Sequence, residues 1–280
     1  MKVHVILTNK FTPESLIEVD IRNCVCAVID VIRATSTIST MIGCGGKKVI
    51  ISGNKSQAFK LKKIFTDYIL CGEVGGLPPE GFDYGNSPLK ISNLNIKSKN
   101  FILMTTNGTQ SFFKVSNCKS VFSLSILNLN HTMDRIINLA NENNYDILFL
   151  CSGEKGKIAY DDAFTAGLAI KYLLTKPFSF SFSDSSKLVL SAAINESDIV
   201  NALEKSCSAH SLRNVGLGED IYFCSQLNKY EIAAKLKILN IKKLISKPGT
   251  PSNSEKLINK NIKDIAKSGL DSLFTIEPYN

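Results

Sequence analysis

Short apolar runs rich in β-branched side chains recur along this chain and alternate with stretches of helical periodicity. The run from Cys24 to Val31, CVCAVIDV, is apolar at almost every position, which is the pattern of a strand buried on both faces. Similar runs occupy Lys48 to Ile51, Tyr68 to Cys71, Phe101 to Met104, Ser120 to Phe122 and Asp146 to Cys151. Between them, Asn54-Lys55-Ser56-Gln57 has capping-box spacing ahead of Ala58, Leu61 and Ile64, and Met133, Ile136, Ile137 and Ala140 follow the i, i+3, i+4, i+7 stripe. Alternation of this kind predicts parallel strands joined by right-handed helical crossovers, hence an α/β fold with α/β/α layers and mostly parallel sheets. Residues 175 to 200 read less regularly, with a serine-rich connection at Ser179 to Ser186 flanking a short strand.

Charge divides the chain into two regions. The net charge of +8 separates into +5 from residues 229 to 280, with ten Lys against five acids, and +3 from residues 1 to 228. The expected organisation is therefore a near-neutral α/β body over 1–228 and a Lys-rich C-terminal extension over 229–280. The extension contains a Pro-Gly-Thr-Pro-Ser-Asn-Ser linker after Lys247, then a helical pattern. A lysine-bearing helix of this sort is a solvated face, so no nucleic-acid partner is expected. Lys outnumbers Arg 29 to 4, which makes Arg22, Arg33, Arg135 and Arg213 conspicuous. No apolar stretch approaches the roughly 20 residues that cross a bilayer, and no secretory leader is visible. The expectation is a cytoplasmic protein with no membrane partner. Its eight cysteines lack zinc-site spacing, and three histidines (His4, His131, His210) cannot build a histidine cage, so reduced, mostly buried thiols are expected.

Ligands of such folds sit beyond the carboxyl ends of the strands, and each predicted strand runs into polar chemistry there. Asp30 ends the first strand beside Arg33, and Thr35, Ser36 and Thr37 open the next helix. Asp30 reads either as a helix cap or as a metal ligand or nucleophile, and Arg33 as a planar clamp for an anionic oxygen. The segment lacks the second Asp, two residues on, of haloacid-dehalogenase-like phosphatases, because Ile32 stands there. Gly72-Glu73 opens a Gly/Pro-rich loop that ends at Gly85-Asn86-Ser87-Pro88. Thr105-Thr106-Asn107-Gly108-Thr109 supplies hydroxyls, an amide and a glycine that lets backbone approach a ligand. Cys151-Ser152-Gly153 offers a thiol and a hydroxyl, and Asp161-Asp162 either cap a helix or complete a carboxylate cluster with Asp30 and Glu73 suited to Mg²⁺. Gly43-Cys44-Gly45-Gly46 precedes a strand, so it reads as a turn and not as a phosphate loop.

Taken in order, these segments resemble the 2-phosphosulfolactate phosphatase family of coenzyme M biosynthesis. The matching stretches are Val28 to Thr37, Gly72-Glu73 with Gly81 to Pro88, Thr105 to Thr109, Ser125 and Asn128, and Cys151-Ser152-Gly153 with Asp161-Asp162. The resemblance covers about residues 25 to 228. It implies two similar α/β halves with the site between them, and a Mg²⁺-dependent phosphatase converting 2-phospho-3-sulfolactate, or a related 2-hydroxy-acid phosphate, to 3-sulfolactate and phosphate. Four departures stand out: Val74 where a basic residue is expected, Asp161 where Glu is expected, a partial match at Ser208-Ala209-His210-Ser211, and a longer tail. A catalytically silent protein that binds an anionic ligand on the same fold is the competing reading.

The site expected is accordingly explicit. Asp30, Glu73, Asp161 and Asp162 would hold Mg²⁺, at least two of them on one ion. Arg33 and the hydroxyls of Thr106 and Ser152 would face one crevice, with amides from Asn86 and Asn107. Thr35, Ser87, Gly108, Thr109 and Gly153 would complete the binding of a small phosphorylated anion. Asp30 is a metal ligand first and a nucleophile second, Cys151 and Ser152 are the competing nucleophiles, and His210 or Glu73 handles the proton. Assembly into a homodimer is left open.

Overall fold

In a computed structural model the chain is described over residues 1–12, 19–241, 264–265 and 269–279. The strands are β1 (Lys2–Ile6), β2 (Cys24–Ile29), β3 (Lys48–Ser52), β4 (Ile69–Gly72), β5 (Asn100–Met104), β6 (Ser120–Leu124), β7 (Asp146–Cys151), β8 (Ser181–Phe182), β9 (Ala234–Asn240) and β10 (Ser272–Pro278). Between them lie α1 (Ala34–Gly43), α2 (Lys55–Ile64), α3 (Pro88–Ser92), α4 (Gly108–Lys114), α5 (Leu129–Asn143), α6 (Tyr160–Leu173), α7 (Asp184–Asn195), α8 (Ile199–Glu204), α9 (Cys207–Asn214) and α10 (Glu219–Cys224). The apolar runs of the sequence all become strands, with ends shifted by one or two residues.

The strands form one sheet in the order β4-β5-β3-β10-β9-β6-β2-β7-β1-β8. It contains two parallel blocks, β4-β5-β3 and β6-β2-β7-β1-β8. Between the blocks β9 and β10 pair with each other over seven residue pairs, and antiparallel to β6 and β3. Alternating side chains show how the sheet is covered. Cys24, Cys26 and Val28 of β2 and Val49 and Ile51 of β3 enter one shared core with Ile38 and Met41 of α1 and Phe112 of α4. Val25, Ala27 and Ile29 face the opposite way, onto α5 and α6, while Ile50 packs with Ala58 and Leu61 of α2. Helices therefore cover both faces, and both blocks pack their inner faces on the same core. The carboxyl ends of β2 and β7 from one block and of β4 and β5 from the other consequently open on a common cleft.

The C-terminal extension differs from the sequence reading. Its described part is not appended to the body: β9 and β10 fill the middle of the sheet. The physical reason is visible in β9, AKLKILN, where Ala234, Leu236 and Leu239 are buried and Lys235 and Lys237 half-buried. Ala234 and Leu236 alternate with the two lysines as on a strand and enter the core shared by both blocks. The exposed Ile238 breaks the alternation, and Leu239 packs on the opposite side, with Leu61 of α2. The Lys-rich helical pattern and its Pro-Gly linker fall almost entirely outside the described residues. Among the described residues no helix is long and apolar enough to cross a membrane.

Candidate active site

The cleft holds a cavity of about 280 Å³ lined by residues from both blocks. Asp30 enters it from the end of β2. Its Oδ1 accepts from Ala34 N at 3.1 Å and its carbonyl from Thr35 N and Oγ1, both at 2.9 Å. It therefore holds the first turn of α1, and among the described residues its Oδ2 accepts no hydrogen bond. Arg33 is buried, and its guanidinium donates to Asp220 Oδ2 of α10 at 2.9 Å and to the Gly76 carbonyl at 2.7 Å. Asp220 Oδ1 in turn accepts from Ser87 Oγ at 2.7 Å and Leu89 N at 3.3 Å. Two of the five guanidinium donors are thus spent on placing the fork, and Arg33 lines the cavity wall.

From the other block, Glu73 follows β4. Its Oε2 accepts from Gly76 N at 2.9 Å and its Oε1 from Thr106 N at 2.7 Å, so it ties two loops of the wall together. Asn86 lines the cavity and is 3% exposed, and its buried Oδ1 has no hydrogen-bond partner among the described residues. The loop Thr105-Thr106-Asn107 lines it too. Gly108 is required next to that loop, because a Cβ there would sit 2.8 Å from Asp30 Oδ2 and collide with Ala34. The missing Cβ lets the start of α4 pack against the end of β2.

The third contribution comes from α6, whose first turn carries Asp161 and Asp162, both buried. Asp162 accepts from Val31 N at 2.9 Å and Gly153 N at 3.0 Å, one bond to each oxygen, and so joins the ends of β2 and β7. Asp161 Oδ1 accepts from Ser208 Oγ at 3.0 Å, and among the described residues its second oxygen accepts no hydrogen bond. On α9, Ser208 and Ser211 share a face at i, i+3, and Ser211 Oγ donates to Glu154 Oε1 at 2.8 Å.

Electrostatically the cavity is acidic. Asp30, Glu73, Glu154, Asp161 and Asp162 line it against Arg33 and Lys155. Burial pushes the Asp30 carboxyl up to about 6, aided by the Glu73 charge and opposed by the Ala34 N–H and Arg33. Burial likewise pushes Asp161 to about 7, with Asp30 and Glu154 adding to it and the Ser208 hydroxyl opposing. Asp162 is raised well above the carboxylate range by burial and by its neighbours Asp161 and Asp30. Crowded carboxylates without a matching cation are what a divalent ion relieves. Among the described residues no three His, Cys, Asp or Glu side chains form a ready cage. Mg²⁺ does not need one, since it takes one or two carboxylates and fills its octahedron with water and substrate oxygens. The unpartnered oxygens of Asp30 and Asp161 and the orphaned carbonyl oxygen of Asn86 fit such a donor set.

Asp30, Arg33, Glu73, Asn86, Thr106, Asn107, Gly153, Asp161 and Asp162 thus line one cavity, as the sequence suggested. Several other candidates do not. Cys151 is fully buried in the core beneath the site, and burial, then the charges of Asp162 and Asp161, raise its thiol well above the ordinary range. A thiol in that state is a poor nucleophile. Ser152 turns its hydroxyl to Ser111 Oγ at 2.7 Å, away from the cavity. His210 is exposed on the outer side of α9 and lines no part of it. Thr35 and Thr109 spend their hydroxyls on the carbonyls of Asp30 and Thr105, and Ser87 on Asp220. These residues shape the wall without facing the cavity. Asp220 is the main contributor that motif reading passed over as a site residue. The rarity of Arg was the available signal, since a buried Arg33 requires a buried acid.

The chain is similar to known proteins over most of its length. Residues 10–238 match the protein family described as 2-phosphosulpholactate phosphatase. A probable 2-phosphosulfolactate phosphatase of Pseudothermotoga lettingae is 36% identical over 208 residues, covering 74% of this chain and 87% of that protein. Proteins described in the same words from Caldanaerobacter subterraneus subsp. tengcongensis and Carboxydothermus hydrogenoformans are 33% identical over 229 residues and 32% over 232. Those alignments cover 81% and 83% of this chain and 93% and 92% of the relatives.

Proposed function

Because this chain belongs to the 2-phosphosulpholactate phosphatase family, we propose that it is a Mg²⁺-dependent phosphatase that hydrolyses 2-phospho-3-sulfolactate to 3-sulfolactate and phosphate. The observation that carries this reading is a pair of buried carboxylates, Asp30 and Asp161, each with an oxygen that accepts no hydrogen bond among the described residues, in the cavity that also holds the Arg33 fork.

Asp30, Asp161 and Asn86 would hold Mg²⁺, with Asp162 and Glu73 keeping the surrounding backbone in place. When bound, the ion offsets phosphate charge and polarises the phosphoryl oxygens. Arg33 is positioned by Asp220 and Gly76, so its remaining N–H groups hold a phosphoryl oxygen in a set orientation. Hydrolysis forms a bond from water oxygen to phosphorus and breaks the bond from phosphorus to the C2 oxygen. One proton leaves the water and one reaches the departing oxygen. Glu154 also lines the cavity and its Oε2 accepts no hydrogen bond among the described residues, so with Asp30 and Asp161 taken up by the metal it is the carboxylate left to exchange those protons. Asp30, already beside Arg33, is the side chain to attack phosphorus if the reaction runs through a phosphoenzyme, since Cys151 and Ser152 face elsewhere.

The test is phosphate release from 2-phospho-3-sulfolactate and from a panel of other 2-hydroxy-acid phosphates, with Mg²⁺ and with EDTA. Turnover that needs the metal and favours the sulfonated substrate is expected. Binding of 3-sulfolactate without turnover of any phosphate ester overturns the reading.

A further inference from the structure

Two hairpin turns of the same build flank the cavity. In one, Val74 N donates to Leu77 O at 3.0 Å and Leu77 N to Val74 O at 3.4 Å, and the two central residues, Gly75 and Gly76, have φ of 62° and 86°. In the other, Glu154 N donates to Lys157 O at 3.0 Å and Lys157 N to Glu154 O at 2.9 Å, around Lys155 and Gly156 with φ of 52° and 79°. Two-residue turns with both central residues at positive φ suit Gly, Asn and Asp. The first turn uses two glycines, whereas the second has Lys at the position matching Gly75. A Lys in this left-handed conformation is strained where a glycine would not be.

The position of that side chain gives the strain a reason. Lys155 lines the cavity, and its side chain is 80% exposed. Its ion-pair partner, Glu154, lies at 3.8 Å and also accepts the Ser211 hydroxyl. The other cation of the lining, Arg33, is held by a buried carboxylate at 2.9 Å. Among the described residues of the wall, Lys155 is therefore the cation left free to follow a ligand. Arg33 lies deep beside Asp30 and Lys155 at the tip of a turn, so an anion with one charged group at the reacting end and a second further out would meet both.

We propose that Lys155 is the specificity residue of this site: it pairs with the second strong anionic group of the substrate, the sulfonate, and selects phosphate monoesters that carry such a group. This rests on the phosphatase reading above. The measure is the ratio of kcat/KM for 2-phospho-3-sulfolactate to that for 2-phospholactate, the same skeleton without the sulfonate. Lys155→Ala is expected to lower the ratio about tenfold, through KM more than kcat, and Lys155→Arg to restore most of it. Lys155→Gly relieves the turn, so it should show the same loss of preference in a protein whose Tm is no lower than wild type. That separates recognition from folding. Wild-type enzyme that hydrolyses both esters while the ratio is unchanged in Lys155→Ala and Lys155→Gly overturns the inference and leaves the phosphatase reading standing. Wild-type protein that hydrolyses neither overturns both.

Discussion

The carboxylate cluster makes a quantitative prediction about stability. Asp30 and Asp161 hold a proton up to about 6 and about 7 in the folded chain, against an ordinary value of 3.8. Protons thus bind the folded state more tightly than the unfolded one throughout this window. Stability is largest below about pH 4 from these two groups and is lost as pH rises through 6 and 7. At about 1.4 kcal/mol per pKa unit, either group alone is worth roughly 3–4 kcal/mol, and the two share part of it through their mutual repulsion. An unfolding entropy near 2.1 cal/mol/K per residue gives about 0.6 kcal/mol/K for 280 residues, so Tm in EDTA should fall by about 6 °C from those charges between pH 5 and pH 8. On the proposed reading Mg²⁺ would bind the ionised carboxylates of the folded state, so it should raise Tm at about pH 8 and do little at about pH 5, where protons compete. Asp161→Asn removes one charge and keeps an acceptor for Ser208. In EDTA at pH 8 it should melt several degrees above wild type and lose most of the Mg²⁺ response. Differential scanning fluorimetry over a pH series, with EDTA or MgCl₂, measures all of this. A wild-type Tm that climbs steadily from pH 5 to 8 in EDTA, with Asp161→Asn less stable at pH 8, would refute the reasoning.

Other outcomes follow from the same geometry. Arg33→Lys keeps the charge but cannot reach both Asp220 and the Gly76 carbonyl while offering a fork to phosphate, so kcat/KM should drop about tenfold or more in a phosphate-release assay; unaltered kinetics would mean the phosphate is held elsewhere. Asp30→Asn should lose about a hundredfold in kcat, whereas Cys151→Ala should keep turnover within a few-fold at some loss of Tm; the reverse ranking would make the thiol the nucleophile. Truncation after Ile241 removes β10, which bridges β3 and β9, and should give a chain that fails to melt cooperatively by circular dichroism.

The sequence by itself determined the element types, because burial on two faces imposes unbroken apolar runs and burial on one helical face imposes a 3.6-residue stripe. CVCAVIDV, the stripe on α5 and the polar segments after β2, β4, β5 and β7 could all be read locally, and with them Asp30, Arg33, Glu73 and the Asp161-Asp162 pair as residues at strand ends or helix starts. Tertiary structure decided what local pattern leaves undetermined. The lysines of β9 look alike whether they alternate on a strand or decorate a helix, and only pairing with β6 and β10 distinguishes the two. The direction of a hydroxyl or thiol depends on neighbours distant in sequence: Ser152 turns to Ser111, Cys151 into the core, and His210 to solvent while Ser208 and Ser211 of the same helix face the carboxylates. The pairing of Arg33 with Asp220 spans 187 positions and no periodicity announces it. Side-chain periodicity records how much of an element is buried, while the partner it is buried against is set by chain crossings that a local window does not contain.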